Sequence, residues 1–539
     1  MRRVPASVRV LLALAAVAAS QFATVRWTNF GGVDEWLYLS LNSRGIVSFP
    51  HSNRPLTLLW SLPGVLLTPD RFEGYLAVHV LYLVLGAWLT WQVVRRVEPA
   101  AAPVAFLAGV FALVWAPLDM ARLAVVQTSM NSGATFAALL SMALLVESWR
   151  RGLWALLGLG LAVAFLAARS YEATLGLLAG APLLLAAAAA PGPPGARPGR
   201  LRLCLAWEAG ALLLAALAAR PILEGGAGAV YQTAVLGADL HPGHWLAHMA
   251  RLYQLHIGPL VPADPSELRR LGVAVAVVVF LGAAAAAGVA RPDAGPRCSR
   301  RRLAALAATG LALAGAGYAV LALSPGVVNA TRTQFLSAPG IGLFLAATLA
   351  LLESLFPARA RIPLLLAAGG AVVAVGTGHT LAMQREWDRT SAYPAQRQAL
   401  LAMVREAPSL PSGTLVLLLD EERAFPYTLT FRHAVALVYG PGVVGHVVGG
   451  DPFLYSIGPA PGGFQVVPWP VVRGPWREGP TLHRSEEVVA FRLSAGRLRL
   501  VERWEDSGLP ALPAGARYAP RERIGGPPRP APKGRRALD

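Results

Sequence analysis

The sequence predicts an all-α polytopic membrane protein carrying one small C-terminal α/β extramembrane domain. Three observations predict it. The 539 residues are 55% hydrophobic and only 14% charged, where an ordinary soluble domain is about 25% charged. Eleven apolar runs serve as spans, at roughly 8–25, 74–94, 102–118, 131–148, 152–168, 173–190, 203–219, 271–290, 303–323, 338–356 and 362–383. A bilayer core takes about 20 apolar residues per helix. From residue 385 the texture changes, and short strand-like runs between Pro and Gly turns replace the long apolar ones. A soluble enzyme, a disordered tail protein and a disulfide scaffold are thereby excluded.

Charge orders the runs. Arg2 and Arg3 place the N-terminus in the cytoplasm. By the same rule Arg95–Arg96, Arg150–Arg151, Arg197/Arg200/Arg202, Arg291/Arg297/Arg300–Arg302 and Arg359/Arg361 belong on that side. A twelfth apolar run, 56–67, is short and interrupted by Pro63. If it spanned the membrane, every later Arg cluster would move outside. As a juxtamembrane helix on the outer surface it keeps all five clusters inside. Residues 1–384 then form the membrane domain, with 26–73 as its first external loop. Eleven spans leave the C-terminus outside, in the periplasm of a bacterial inner-membrane protein.

The tail divides in two. Residues 385–516 read as a periplasmic α/β domain, with an amphipathic helix at 394–406. Strands are expected at Thr414–Leu419, Ala434–Tyr439, Glu487–Leu493 and Arg497–Glu502. Residues 517–539 hold seven basic residues against two acidic, with many Pro, and are expected to be disordered.

The net charge of +18 comes from 48 basic against 30 acidic residues, and Lys533 is the only Lys. Such an Arg, Ala, Gly and Pro bias looks like a GC-rich bacterial genome. The Arg residues sit in short groups between apolar runs, and no basic face with aromatic platforms accompanies them, so no nucleic-acid partner is expected. Cys204 and Cys298 fall near the cytoplasmic side and are expected to be unpaired.

Polar chemistry collects on the external side. Gly31-Gly32-Val33-Asp34-Glu35-Trp36 puts an acidic pair within ten residues of the first span. His51 and Asn53-Arg54-Pro55-Leu56-Thr57 follow in the same loop. The cytoplasmic loops carry no Walker-type phosphate loop. Further along, Arg332-Thr333-Gln334-Phe335-Leu336-Ser337-Ala338-Pro339-Gly340-Ile341-Gly342 opens the tenth run, and Leu410-Pro411-Ser412-Gly413-Thr414-Leu415 opens the first tail strand.

This arrangement resembles the GT-C superfamily of polytopic glycosyltransferases that use lipid-phosphate-linked sugars. Asn53-Arg54-Pro55-Leu56 is similar to the "YRPL" segment of the protein O-mannosyltransferase-like branch, with Asn53 in place of the aromatic residue. The 332–342 segment is similar to that branch's "ERYLYLPSxGF", with Thr331 where the acidic residue would stand and the spacing to Gly shifted by one. The 410–418 segment resembles the first strand of external tails in bacterial relatives. The specific motifs cover about thirty residues, while the architecture covers most of the chain.

The resemblance implies a donor of polyprenyl-phosphate-linked sugar and inversion at the anomeric carbon. The acceptor is a glycan, a lipid or a protein. Asp34 or Glu35 is the expected base, because a membrane-surface carboxylate can take the acceptor's hydroxyl proton. Arg332 and Arg169 are expected to hold the lipid phosphate, whose oxygens suit the guanidinium fork. Tyr171 and Glu172 share the external turn with Arg169, where the plain alternative is an Arg169–Glu172 pair closing a hairpin. Arg54 is expected to order the first loop or touch donor, with His51 beside it. Asp119 and Arg122 are further candidates in the second external loop. His244 and His248 have a metal-compatible i, i+4 spacing without an HExxH pattern, and an interfacial belt is the expected reading. No cofactor is assigned, and a divalent cation is left open. The competing readings are a polysaccharide polymerase or ligase, favoured by the His-rich loop at 220–270, a transporter or flippase, and a non-catalytic scaffold.

Overall fold

A computed structural model describes residues 5–22, 29–30, 34–46, 54–69, 71–119, 125–187, 197–223, 241–262, 264–289, 298–324, 333–512, 514–528 and 533–538. It is mostly helical, at 68%. The membrane domain opens with α1 (Ala6–Phe22), α2 (Glu35–Ser43), α3 (Leu62–Leu67), α4 (Glu73–Val97), α5 (Ala102–Val114), α6 (Val125–Arg151) and α7 (Trp154–Ser170). It continues with α8 (Thr174–Ala179), α9 (Pro182–Ala187), α10 (Arg197–Leu223), α11 (Pro242–Ile257), α12 (Leu271–Ala286), α13 (Arg300–Ala319), α14 (Ala338–Glu353) and α15 (Ala358–Thr390).

Among the described residues, five helices are long and apolar enough to cross a bilayer: Glu73–Val97, Met130–Arg151, Gly199–Arg220, Arg300–Ala319 and the stretch Ala358–Glu406. The other six predicted runs form apolar helices of 10–17 residues. One of them is broken: the turn at Gly180–Ala181 and Pro182 split 173–190 into α8 and α9. Close helix crossings use small residues. A Cβ on Gly340 would lie 2.4 Å from Ala314 N, and one on Gly342 would lie 2.5 Å from Ala108 O.

The Arg clusters gather at one end of the bundle. Arg96, Arg150 and Arg151 converge on Glu147. Arg200 lies 4.7 Å over the Trp149 ring. Arg302 reaches Glu98, and Arg300 and Arg361 both donate to Ser354 O. This common end is what the charge rule requires of loops on one side of a membrane.

The segment 56–67 is a 3₁₀ turn, Thr57–Ser61, running into α3. Leu66 and Leu67 are exposed and apolar, which suits a helix lying against a membrane surface. Between it and α1 stands α2, buried from Glu35 to Asn42 on every side. A helix apolar all round has protein on both faces. One of those faces belongs to the tail.

The tail begins with α16 (Tyr393–Glu406). Strand β1 (Leu415–Asp420) pairs in parallel with β2 (Val444–Val448) and β6 (Val488–Ser494), and β7 (Arg497–Leu500) closes the sheet antiparallel. Leu415 aligns with both Val444 and Val488. Both faces of β1 are covered, so its run of Leu and Val does not alternate. A second antiparallel sheet holds β3 (Tyr455–Ala460), β4 (Gly463–Pro468) and β5 (Thr481–Arg484).

Two expectations for the tail are corrected. The segment Ala434–Tyr439 is not a strand but the end of helix α17 (Thr428–Tyr439). Phe431, Ala434, Val435 and Val438 recur at helical spacing on its buried face. The residues from 517 onward are not a disordered tail where they are described. Ala537 and Leu538 are buried in the core, Tyr393 OH donates to Ala537 O, and Arg535 lies 5.5 Å over the Tyr439 ring. A short apolar end and one cation–π contact anchor a segment whose composition alone reads as unfolded.

Trp36 joins the two halves. It is fully buried, stacks on Tyr393 at 5.6 Å, meets the edge of Phe72 at 5.4 Å and donates Nε1–H to Gln396 Oε1 at 2.8 Å. Gln396 in turn donates to Ala424 O at 2.8 Å. Trp36→Ala is expected to cost about 3–5 kcal/mol. The readouts are a lower thermal midpoint in detergent and faster protease release of the tail. An unchanged midpoint would mean the tail docks without α2.

Candidate functional site

Asp34 stands at the N-cap of α2 and is half-buried, while Glu35, in the first turn, is 2% exposed. Their faces diverge because neighbours on a helix point about 100° apart. Asp34 shares a face with Tyr38, one turn on. Tyr38 OH approaches Met130 Sδ at 3.3 Å, near the N-terminal end of α6 beside Asn131. Glu35 faces the tail. Burial pushes the Tyr393 phenol well above its ordinary value, with the Glu73 and Glu35 carboxylates adding to the rise.

Beside that end of α6 is a small cavity with a mostly apolar wall. His79, Tyr82, Asp119, Asn131, Ser132 and Thr135 line it, with Phe335 and Pro339 across from them. His79 Nδ1 and Ser132 Oγ are 3.0 Å apart, and Thr135 donates to Asn131 O at 2.8 Å. Asn131 Oδ1 is buried and accepts no hydrogen bond from the described residues. Asp119 is fully buried. About 50 Å³ is open inside, room for a few waters.

The 54–60 segment is zipped onto the turn between α7 and α8. Arg54 grips Glu172 with both arms, Nε to Oε2 at 2.7 Å and Nη2 to Oε1 at 2.6 Å. Its guanidinium lies 4.6 Å over the Tyr171 ring. Leu56 N donates to Arg169 O at 3.3 Å, Thr57 to Ser170 O at 2.9 Å, and Trp60 Nε1 to Ser170 Oγ at 2.8 Å. Tyr171 then meets Phe335 at 5.7 Å, and Tyr82 OH donates to Trp60 O at 3.0 Å. Both contacts lead to the cavity wall. Burial pushes the Glu172 carboxyl up, but the Arg54 charge and hydrogen bonds outweigh it and hold the group below its usual value.

Glu172 therefore pairs with Arg54 and not with Arg169, contrary to the hairpin reading. Arg169 is half-buried, and its carbonyl caps the zipper. Arg332, Arg122 and His51 lie outside the described residues. The His-rich loop supplies packing: Trp245 donates to Ala319 O at 3.0 Å, His248 Nδ1 lies 2.9 Å from Ala322 O, and His256 is wedged between Tyr318 OH and Trp115 O. Among the described residues no three His, Cys, Asp or Glu converge.

A second polar centre lies where α2 ends against the tail. Arg44 caps α2 and reaches Glu478 Oε1 at 3.2 Å, and Arg432 Nε reaches Oε2 at 3.2 Å. Tyr455 OH donates to the same carboxylate at 2.9 Å. His433 sits between Tyr455 OH and Ser40 Oγ, each at 3.3 Å. Burial lowers His433 to about 3; the Glu478 carboxylate opposes the shift, and the Arg432 and Arg44 charges add to it. Unfolded, His433 protonates near 6.5. Between that value and about 3 the unfolded chain binds a proton that the folded chain refuses, so stability falls as pH drops through the window. The thermal midpoint at pH 4.5 is expected below that at pH 7, and His433→Gln is expected to shrink the difference. An unchanged difference would mean that His433 is already charged in the fold.

No family model and no curated protein matches the chain. Solved structures do. An oligosaccharyltransferase of Archaeoglobus fulgidus, tethered to an acceptor peptide, is 13% identical at a TM-score of 0.44, over 83% of this chain and 64% of that one. AglB from the same organism, with an inhibitory peptide and a dolichol-phosphate, is 14% identical at 0.41 over the same shares. ArnT from Cupriavidus metallidurans, bound to undecaprenyl phosphate, is 17% identical at 0.34, over 76% of this chain and 82% of that one. The chain spans about 64% of the length of the oligosaccharyltransferases it matches.

Sequence reasoning passed over His79, Asn131, Ser132 and Thr135. A signal was there: Asn131-Ser132 and Thr135 interrupt an apolar run at i, i+1 and i+4, and polar groups in a span face protein or a cavity. Arg432, His433, Tyr455 and Glu478 offered no such signal, because three separate tail elements bring them together.

Proposed function

We propose that this chain is an integral-membrane glycosyltransferase that transfers a sugar from a polyprenyl-phosphate donor to an acceptor hydroxyl at the outer membrane surface. The acceptor is a periplasmic glycan, lipid or protein, and the setting is a bacterial inner membrane with N-terminus inside and tail outside. The observation that carries the reading is the position of Asp34. It is a half-buried carboxylate at the head of α2, one turn from Tyr38, whose hydroxyl approaches Met130 of α6.

Asp34 takes the proton of the acceptor hydroxyl as its oxygen attacks the anomeric carbon. The bond from that carbon to the phosphate oxygen breaks, its electrons leave with the oxygen, and polyprenyl phosphate is released. Arg332 and Arg169 hold the departing phosphate. Asp119, Asn131 and His79 form the polar floor beneath the sugar. Arg54, with both arms on Glu172, orders the loop and leaves the phosphate to the other arginines. Buried Glu35 positions α2 against α16. Inversion is what the family resemblance adds.

The test is a transfer assay in reconstituted membranes with labelled polyprenyl-phosphate sugars. Wild type should consume donor and form polyprenyl phosphate, and Asp34→Asn should not. No turnover and no lipid binding across a broad donor and acceptor panel would end the enzyme reading and leave the transporter or scaffold in its place.

A further inference from the structure

The polar centre at the end of α2 opens into a groove of about 460 Å³ between the first external loop and the tail. Arg44, Arg432, Arg477, His433, Glu478 and His483 line it. Two guanidinium groups, those of Arg44 and Arg432, meet one carboxylate, and Arg477 adds a third positive charge to the lining. Arg432 has 9% of its side chain exposed, and its Nη1 is buried without an acceptor among the described residues. Arg44 and Arg432 share the single carboxylate of Glu478, so the centre keeps an excess of positive charge that an oxyanion in the groove would offset. Arg477 stands exposed at the rim, held in the left-handed region at φ 55° with no ion partner among the described residues.

We infer that this groove is an anion-binding subsite for an acidic oligosaccharide, anchored by a carboxylate or phosphate on one of its sugars. The inference rests on the glycosyltransferase reading for its purpose: the anchored glycan is the acceptor. Arg44 lies ten residues beyond Asp34 on the same helix, about 15 Å along its axis at 1.5 Å per residue. A glycan held at Arg44 needs several sugars to present a hydroxyl at Asp34, so a single acidic sugar does not suffice.

Binding is measured without turnover, which separates this inference from the enzyme reading. The full chain in detergent is titrated with a uronate-containing tetrasaccharide, a neutral tetrasaccharide of equal length, and inorganic phosphate as competitor. The acidic probe should bind and the neutral one should not. Arg477→Ala should weaken acidic binding by about fivefold, the scale of an exposed charge contact, with the thermal midpoint unchanged. Arg432→Gln together with Arg477→Ala should abolish it, and a thermal melt checks that this variant folds. Competition by phosphate favours a phosphorylated glycan, and competition by free glucuronate alone favours a uronic acid. Equal binding of the neutral probe, or acidic binding indifferent to both variants, overturns the inference even if transfer is observed.

Discussion

Asp34→Asn is expected to slow donor consumption by about 10²–10⁴-fold, the share a general base contributes, without lowering the thermal midpoint. The substitution keeps shape and removes the base. Its side chain makes no N-cap hydrogen bond to α2, so helix stability does not depend on the carboxylate through a cap. Glu35→Gln is expected to behave differently. Glu35 is 2% exposed in the core shared with the tail, so a change there acts on folding first and on rate only through the fold. The decisive measurement pairs single-turnover release of polyprenyl phosphate with melting curves for both variants. A normal rate in Asp34→Asn, with a lost rate in well-folded Glu35→Gln, would move the base by one residue.

The next largest effect is expected at the zipper. Arg54 and Glu172 have side chains 13% and 26% exposed and form two short, parallel hydrogen bonds. Removing one partner of a buried pair costs about 3–5 kcal/mol because the other charge is stranded, and partial exposure places this pair nearer 2–3 kcal/mol. Arg54→Ala and Glu172→Ala should each lower the thermal midpoint and the transfer rate. The double variant should cost less than the two losses added, since neither charge is then stranded. Strict additivity would show that the pair is not energetically coupled. The sign with pH follows from the lowered carboxyl of Glu172. Its contribution is present above the unfolded carboxylate value and is lost as pH falls toward the folded one. The stabilising effect of Arg54 should therefore fade in acid.

The rate loss at the zipper has a structural cause. The 54–60 segment holds Trp60 against the Ser170 hydroxyl and through Tyr82 against the cavity wall. Freeing it loosens the wall without touching Asp34. Turnover should fall while affinity for the acidic tetrasaccharide at Arg44 and Arg477 stays constant, because that groove belongs to the far end of α2 and the tail.

Much of this was legible in the chain alone, for local reasons. Hydropathy marks apolar runs residue by residue, and each predicted run contains helix where described, though the turn at Gly180–Ala181 breaks one of them. The Arg clusters were assigned to one side by counting, and they do share one end of the bundle. The short run with Pro63 is assigned to the surface by the charge argument, since a span there would invert every later cluster, and in the fold its Leu66 and Leu67 are exposed. The acidic pair stands out from its place just after the first apolar run.

What the fold alone decided involves partners distant in the chain. Glu172 is 118 residues from Arg54, and nearby Arg169 was the natural guess because sequence spacing favours neighbours. The burial of α2 depended on Trp36 meeting Gln396, 360 residues away. Ala434–Tyr439 read as a strand because a short apolar run carries no period of its own, and packing of Phe431 and Val435 made it a helix. Leu538 became ordered by docking on a core that its own basic, Pro-rich surroundings do not announce. Composition and periodicity record what each residue prefers against water or lipid. Which carboxylate meets which arginine is set by the few shapes in which all those preferences are satisfied together, and only the tertiary structure expresses that.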